Sequence, residues 1–274
     1  MHHKAKKSLG QNFLKRAHAR TTIVKAANLS TNDIVLEIGP GKGALTKKLL
    51  TSAGKVIAVE KDPDLIPLIE QAFAEEIAQG RLELVSGDIL EFDPETLRVY
   101  EPNGYKVVAN IPYYITGALI RMFLESTYQP KTMILLLQKE VAERIVARDN
   151  KESILSISVK AYGTPTYIEK VPKKYFSPEP SVDSAILAID SISKKRFKDI
   201  EEVAFFEIVH AGFAHKRKTL RNNLTMAGFS TEAIDALWQT QGFSEKIRPE
   251  DITIDEWFLI AQAIHGDKNE SAVY

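Results

Sequence analysis

The central feature of the sequence is the run Ile34-Val35-Leu36-Glu37-Ile38-Gly39-Pro40-Gly41-Lys42-Gly43. Its first half is apolar and β-branched, which is typical of a strand buried on both faces of a parallel sheet. Its second half supplies glycines, which let the chain turn sharply and let a ligand approach bare backbone. A helical pattern follows at 44–53. The run therefore predicts a strand, a ligand-binding turn and a helix, the opening unit of a doubly wound α/β sheet.

Short apolar runs of the same kind recur along the chain. Helical spacing of apolar residues marks the gaps between these runs, which we predict to be strands at 55–60, 81–85, 105–109 and 133–137. Two later runs, 154–161 and 184–189, are predicted to add an antiparallel edge. The sequence thus predicts an α/β fold with a doubly wound, mostly parallel seven-stranded sheet.

The composition changes after Asp190. The segment 191–196 reads as a linker, and beyond it the strand signal disappears while apolar residues recur at helical spacing. We therefore predict two domains. Residues 1–192 form the ligand-binding catalytic domain, and 193–274 form a small all-helical domain.

The composition excludes several classes of protein. The 274 residues include no cysteine, which excludes disulfides, cysteine-ligated metal centres, thiol nucleophiles and hence the pyrimidine C5 methyltransferases. No apolar run approaches the roughly 18 residues of a membrane span. We expect a soluble, cytoplasmic monomer that does not bind a membrane.

The net charge is zero, with 36 lysines and arginines against 36 aspartates and glutamates. A zero sum argues mildly against a nucleic-acid-binding protein. However, two segments contain bases and no acids, one within 1–32 and one within 208–231. Their cations are Lys4, Lys6, Lys7, Lys15, Arg16, Arg20 and Lys25 in the first, and Lys216, Arg217, Lys218 and Arg221 in the second.

Glu60 closes the second predicted strand, about 20 residues after Gly39, where a carboxylate can accept both hydroxyls of a ribose. The third glycine, Gly43, comes one residue earlier than in the dinucleotide pattern, and this tighter form is common in S-adenosylmethionine (SAM) sites. Asp88 ends the third strand and could accept a hydrogen bond from an adenine amine, or close an ordinary turn. We predict a SAM site at the switch point of the sheet, with Gly39, Gly41 and Glu60 in contact with the cofactor.

The fourth strand ends in Asn110-Ile111-Pro112-Tyr113. Adenine N6 is a poor nucleophile because its lone pair is delocalised into the ring, so an enzyme that methylates it needs acceptors for the amine hydrogens. The Asn110 side-chain oxygen and the Ile111 carbonyl can supply them, since Pro112 fixes the local backbone. Tyr113 can stack on a flipped-out base. We predict positioning and electrostatic catalysis without a metal.

Over nearly its whole length the chain resembles the ribosomal RNA adenine N6-dimethyltransferases, specifically the small-subunit enzymes that modify two adjacent adenines near the 3′ end of their RNA. The resemblance implies a class I SAM-dependent, Rossmann-like catalytic domain. The run Ser8 to Leu14 is similar to the family's opening motif and implies that Asn12 and Leu14 contact SAM. It also implies that Gly39 lies at the methionine end of SAM, Glu60 at the ribose, Asp88 at the adenine and Asn110 near the transferred methyl group.

Two further motifs carry the resemblance. The run Phe176 to Ser184 is similar to one whose aromatic residue faces the target base, which implies that Phe176 stands opposite Tyr113. Without the resemblance, Phe176 would be assigned to the core. The run 216–224 resembles the family's small-subunit members and implies RNA contact, where a solvated helix face is the alternative. The implied RNA-binding residues are Lys216, Arg217, Lys218, Arg221 and Asn222, and the implied partner is small-subunit ribosomal RNA or the immature small subunit.

The chain departs from the family pattern near the predicted base pocket. Family members often carry asparagine after the tetrad and a Ser-Thr pair nearby, where this chain has Tyr114 and then Thr116-Gly117. An acid often follows the opening motif, where this chain has Lys15. These differences bear on the shape of the base pocket and so on the order and extent of methylation.

Four alternatives remain open at the level of sequence. One is the same reaction on large-subunit RNA, as in the macrolide-resistance methyltransferases, and another is DNA adenine methylation. A third is an assembly factor whose binding to the small subunit matters more than its catalysis. The fourth is a nicotinamide-dependent dehydrogenase, which would hold a pyrophosphate at the helix N-terminus.

Overall fold

The computed structural model describes residues 5–6 and 9–265. Lys4, Lys7 and Ser8, which belong to the N-terminal basic segment and to the opening motif, lie outside the described residues. The described chain forms two compact units. The first comprises the residues up to 143 together with 163–193, and the second comprises 144–162 together with 194–265.

The first unit is built from short strands and helices in alternation. Its strands are β1 (Phe13–Leu14), β2 (Ile34–Ile38), β3 (Lys55–Glu60), β4 (Leu82–Ser86), β5 (Tyr105–Asn110), β6 (Thr132–Gln138), β7 (Thr164–Val171), β8 (Phe176–Ser177) and β9 (Ser184–Asp190). Its helices are α1 (Ala17–Ala26), α2 (Thr46–Leu49), α3 (Ile66–Ala72), α4 (Ala74–Ala78), α5 (Thr116–Glu125) and α6 (Lys139–Ile145), which leads into the second unit.

Seven strands form one sheet in the order β4-β3-β2-β5-β6-β9-β7. The first five are parallel, and β9 runs antiparallel between β6 and β7. Ile38, the last residue of β2, lies beside Val59 and Ala109. Because β3 and β4 lie on one side of β2 and β5 lies on the other, the carboxyl ends of β3, β2 and β5 form the switch point at which ligands bind in such sheets.

The apolar strands bury both faces, as predicted. The interiors of β2, β5 and β6 are almost fully excluded from solvent. On one face, side chains of α1, α2 and α3 pack in a single cluster with the strands, including Ile23, Leu49, Ile69, Val56 and Val108. Burial of such side chains contributes about 25 cal/mol for each Å² removed from water. This packing holds the loops at the carboxyl edge in place.

The predicted strand at 154–161 is wrong, because this segment is helix α7 (Ile154–Lys160). Ser153 caps the helix: the Ser153 hydroxyl accepts from the Ser156 N–H (3.2 Å), and the Ser156 hydroxyl accepts from the Ser153 N–H (2.7 Å). This reciprocal pair satisfies backbone donors that a strand would have left to a neighbouring strand. The segment belongs to the second unit, although the sequence predicts that residues up to 192 lie in the first.

Strand β7 takes the edge position predicted for 154–161. Its side chains alternate between exposed and half-buried along 164–170, and it includes Pro165, which is tolerated only at a sheet edge. The helix predicted at 44–53 is also shorter than expected, with regular α-helix only in α2. The other predicted strands agree with the structure to within one residue at each end.

The second unit is helical in its described part, in agreement with the sequence. Besides α7 it contains α8 (Glu202–Gly212), α9 (Leu220–Met226), α10 (Thr231–Gln241) and α11 (Ile254–His265). Stacked and edge-on aromatic rings form its core, with Phe205 and Phe258 centred 4.2 Å apart and Trp257 fully buried. No described helix is long and apolar enough to cross a membrane.

Candidate active site

A cleft opens at the carboxyl edge of the parallel strands in the first unit. Its walls come from the N-terminal arm (residues 9–14), the glycine turn after β2, and the residues after β3, β4 and β5. The cleft brings together the residues predicted to hold the cofactor and the target base, which are Asn12, Leu14, Gly39, Gly41, Glu60, Asp88, Asn110, Ile111, Pro112, Tyr113 and Phe176.

The glycine turn presents backbone to the cleft. Gly39 has a φ of +65° and its N–H donates to the Val59 carbonyl at 2.9 Å, which ties the turn to β3. A Cβ at Gly39 would meet no atom within 4 Å, so there is room for a ligand against its backbone. Gly41 has a φ of +61°, and a Cβ there would lie 3.0 Å from the Phe13 ring. Glycine at position 41 therefore lets the arm close on the turn without steric or backbone strain.

Glu60 ends β3 with its side chain almost fully buried. One carboxyl oxygen accepts the Gly41 N–H at 3.0 Å, and the other accepts the Asp62 N–H at 2.9 Å. Burial raises the pKa of Glu60, while these backbone donors favour its charged form. Each oxygen keeps a second lone pair. The group can therefore hold the turn and still accept ribose hydroxyls.

Glu37 is a residue of the cleft for which the sequence predicts no role. It is 1% exposed, and neither carboxyl oxygen makes a hydrogen bond of normal geometry with the described residues. Burial raises the pKa of Glu37 to about 8, and the neighbouring Glu60 adds to the effect. An acid inside an otherwise apolar strand was the available signal, because buried carboxyls normally have partners.

Asp88 follows β4 and stays ionised. One of its oxygens accepts from the Lys61 ammonium at 2.5 Å, and the other accepts the Leu90 N–H at 3.1 Å. Lys61 lowers the pKa of Asp88. Asp88 therefore closes a turn, and its carboxylate also lines the cleft, where the contact with an adenine amine stays a prediction.

Asn110 ends β5 with its amide group fixed. Its Nδ2 donates to the Asn12 carbonyl at 3.0 Å. Because a carbonyl only accepts hydrogen bonds, this contact assigns the NH₂ group to the arm and leaves Oδ1 on the other side as an acceptor. The next residue, Ile111, is buried and donates its N–H to the Leu136 carbonyl at 3.0 Å.

Tyr113 and Phe176 supply aromatic rings to the cleft. Tyr113 is half-buried, its hydroxyl lies 2.8 Å from the Ser184 hydroxyl, and burial raises its pKa. Phe176 is 2% exposed and belongs to the core as well as to the cleft wall. It pairs with Leu14 in the two-stranded ribbon of β1 and β8. Phe176 thus belongs to the core and lines the cleft, and its contact with the target base stays a prediction.

The N-terminal arm is held by Asp62, which the sequence does not single out. This fully buried carboxylate accepts from the Lys6 ammonium and from the Gln11 side-chain amide, each at 2.6 Å. The Asp62 N–H donates to Glu60. One residue therefore joins the arm that carries Asn12 to the carboxylate predicted to bind ribose.

The residues predicted to bind RNA lie in the second unit, at the start of α9. Lys216, Arg217, Lys218 and Asn222 are exposed. Arg221 differs from them because its guanidinium forms ion pairs with Asp235 and, at 3.1 Å, with Glu245. Lys216, Arg217 and Lys218 are therefore exposed, whereas the charge of Arg221 is already neutralised by acids. The described residues include no group of three or more histidines or acids arranged to hold a metal ion.

Comparisons with known proteins identify the family of the chain. The family model described as ribosomal RNA adenine dimethylase matches residues 2–265. A ribosomal RNA small subunit methyltransferase A from Dehalococcoides mccartyi (strain CBDB1) is 41% identical over 255 residues, which is 93% of this chain and 86% of that protein. The protein of the same name from Fusobacterium nucleatum is 39% identical over 97% of this chain and 100% of its own length.

Solved structures extend the agreement to the fold. A dimethyladenosine transferase from Plasmodium falciparum superposes with a TM-score of 0.75 at 28% identity, covering 91% of this chain and 95% of that one. The 23S rRNA methyltransferase ErmE gives the same TM-score at 24% identity over 92% of this chain and 99% of that one, and so shows the fold alone. The chain belongs to the ribosomal RNA adenine dimethylase family of SAM-dependent methyltransferases.

Proposed function

We propose that this protein transfers methyl groups from SAM to the N6 atoms of two adjacent adenines near the 3′ end of small-subunit ribosomal RNA. The observation that carries the proposal is the fixed amide of Asn110. Its NH₂ group is engaged by the Asn12 carbonyl, so its oxygen is the acceptor available to an exocyclic amine. The names of the relatives favour small-subunit RNA over large-subunit RNA.

The residues of the cleft suit SAM. The open backbone at Gly39 leaves room for the methionine part, and Glu60 offers acceptors for the ribose. The carboxyl of Glu37 is buried beside Thr46 and Glu60, and a cationic ligand such as a sulfonium with an ammonium group would favour its charged form. When bound, SAM supplies a methyl group on a positively charged sulfur.

The chain's own residues then have to orient the amine. Asn110 Oδ1 and the Ile111 carbonyl accept the two N6 hydrogens, which turns the nitrogen lone pair toward the methyl carbon. Tyr113 and Phe176 hold the base plane by stacking. SAM held in the cleft would supply the methyl group to this nitrogen, and the amine would release one proton for each methyl group gained. The catalytic effect comes from positioning and from preorganised acceptors.

The test compares Asn110→Ala with a matched control, Asn103→Ala, at an exposed loop position. Loss of one preorganised electrostatic contact costs on the order of 10² to 10³ in rate. We expect Asn110→Ala to lose methyl transfer by about that factor while it still binds S-adenosylhomocysteine in calorimetry, and Asn103→Ala to match wild type. Full activity of Asn110→Ala would overturn the proposed role.

The proposed substrate is small-subunit RNA, alone or in an immature subunit, and the proposed form of the enzyme is a monomer. Labelled SAM offered to under-methylated small subunits and to naked RNA, followed by mass spectrometry of the nucleosides, identifies both the substrate and the product. If binding alone mattered, as for an assembly factor, Asn110→Ala would leave maturation of the subunit normal.

A further inference from the structure

A group of exposed cations lies next to the aromatic wall of the cleft. Lys15 and Arg16 directly follow β1, and Lys174 precedes β8 by one residue, with Tyr175 between. The Lys15 N–H donates to the Tyr175 carbonyl at 2.8 Å, which extends the pairing of the ribbon one step beyond Leu14 and Phe176. We call Lys15, Arg16, Lys174 and Tyr175 the basic rim.

The charges of the basic rim are not neutralised. Among the described residues, no carboxylate forms an ion pair with its three cations. Several other cations of the first unit are paired, namely Lys6 with Asp62 and Asp64, Lys61 with Asp88, Lys170 with Asp183 and Lys173 with Glu179, while Arg20 donates to the Leu14 carbonyl. The basic rim therefore presents a positive potential beside the cleft, which attracts anions.

Arg16 is also oriented. Its guanidinium carbon lies 5.2 Å from the centre of the Tyr175 ring. Stacking on an aromatic face limits the freedom of the guanidinium and leaves its N–H groups at the edge of the plane, where they can grip a phosphate with two parallel hydrogen bonds. A lysine at this position would keep the charge and lose both properties.

We infer that the basic rim binds the phosphodiester backbone of the RNA strand next to the adenine in the cleft. The inference rests on the proposed function. A base held against Phe176 brings its own sugar-phosphate to the mouth of the cleft, and the rim is the continuation of the strand pair that carries Phe176 and Leu14. Phosphate contacts of this kind fix the register of the strand without reading its sequence.

The test uses the full-length protein, S-adenosylhomocysteine and an RNA fragment that spans the two adenines. RNA affinity is measured against salt for Lys15→Ala/Arg16→Ala and for a matched control, Lys25→Ala/Lys131→Ala, which removes the same charge. Lys25 lies about 14 Å along α1 from Arg16. Lys131 directly precedes β6 and therefore lies at the amino ends of the parallel strands, whereas the cleft lies at their carboxyl ends. All four side chains are exposed, so the fold is expected to survive, which thermal unfolding with and without S-adenosylhomocysteine checks.

Each phosphate contact contributes about 0.7 to the slope of log affinity against log salt for single strands. We expect the rim variant to lose about 1.4 of slope, with unchanged affinity for S-adenosylhomocysteine, and the control to keep the wild-type slope. Arg16→Lys should keep the slope and bind RNA severalfold more weakly.

An unchanged slope in the rim variant, or an equal loss in the control, overturns the inference. Wild-type protein that binds RNA with the rim-dependent slope but methylates no adenine would overturn the proposed function alone.

Discussion

A single hydrogen bond determines which atom of Asn110 is available for chemistry. Asparagine could present either its oxygen or its nitrogen to an amine, and only the oxygen accepts the amine hydrogens. The Asn12 carbonyl, which comes from the far end of the sequence, engages the nitrogen. The motif at 110–113 predicts the residue, but the orientation of its amide depends on the N-terminal arm.

Glu37 yields a prediction about pH and stability. Its pKa is about 8 in the folded protein because burial penalises the charged form, whereas an exposed glutamate titrates near 4.3. The folded state therefore keeps a proton that the unfolded chain releases. The stability that this proton contributes is fully present below the unfolded pKa and is lost as the pH rises through about 8.

We expect Glu37→Gln, which mimics the protonated side chain, to lose less stability than wild type between pH 5 and pH 8.5. The difference should reach at least about 1.4 kcal/mol, the equivalent of one pKa unit. Urea unfolding without cofactor at the two pH values measures it, with the exposed Glu70→Gln as control. Parallel pH dependence in wild type and Glu37→Gln would contradict the shifted pKa.

At the scale of elements, the N-terminal arm depends on Asp62. Its buried carboxylate holds both Lys6 and Gln11 at 2.6 Å. Asp62→Asn removes the charge and one of the two acceptor oxygens, and a broken buried pair is costly. We expect affinity for S-adenosylhomocysteine to fall roughly tenfold, or about 1.4 kcal/mol, because Asn12 and Leu14 are no longer held over the cleft.

Asp64→Asn is the matched control for Asp62→Asn. Asp64 binds the same lysine at 2.7 Å, but its side chain is 63% exposed, and exposed ion pairs contribute little. Calorimetry with S-adenosylhomocysteine compares the two variants. Equal losses of affinity would show that removing any acid near Lys6 weakens the site, and that Asp62 does not hold the arm in particular.

The elements also show which parts of the fold were predictable. Strands β2, β3, β5 and β6 are buried on both faces, so their apolar runs predict them from composition alone. Strand β7 lies at an edge, includes Pro165 and alternates in exposure, and its signal is correspondingly weak. Segment 154–161 is as apolar as a strand. The signal for a helix is the Ser153–Ser156 capping box, which is formed within the segment itself.

The residues of the candidate site likewise divide into those that the sequence predicts and those that only the structure shows. Residues that end predicted strands, such as Glu60 and Asn110, were predictable because parallel strands bring their carboxyl ends to one edge. Asp62 was not, since its partners come from the N-terminal arm and no spacing rule relates them. Arg221 belongs to a basic run, but its acid partners Asp235 and Glu245 lie beyond that run.

At the scale of the whole molecule, a net charge of zero coexists with two sets of exposed cations. One is the basic rim of the first unit, and the other comprises Lys216, Arg217 and Lys218 in the second unit. Salt dependence of RNA binding reports the number of phosphates contacted and is insensitive to the net charge of the protein. The two sets should therefore contribute separately.

This separation gives the last prediction. We expect Lys216→Ala/Arg217→Ala to reduce the salt slope of RNA binding by about 1.4, as two lost phosphate contacts require, without changing affinity for S-adenosylhomocysteine. Arg221→Met should leave the slope unchanged because Asp235 and Glu245 already neutralise Arg221. Combined with Lys15→Ala/Arg16→Ala, the losses of slope should add, because each set is expected to contact its own phosphates and the slope counts the phosphates contacted. A slope loss in Arg221→Met would mean that RNA displaces its acid partners, and a combined loss no larger than either alone would mean that the two sets contact the same phosphates.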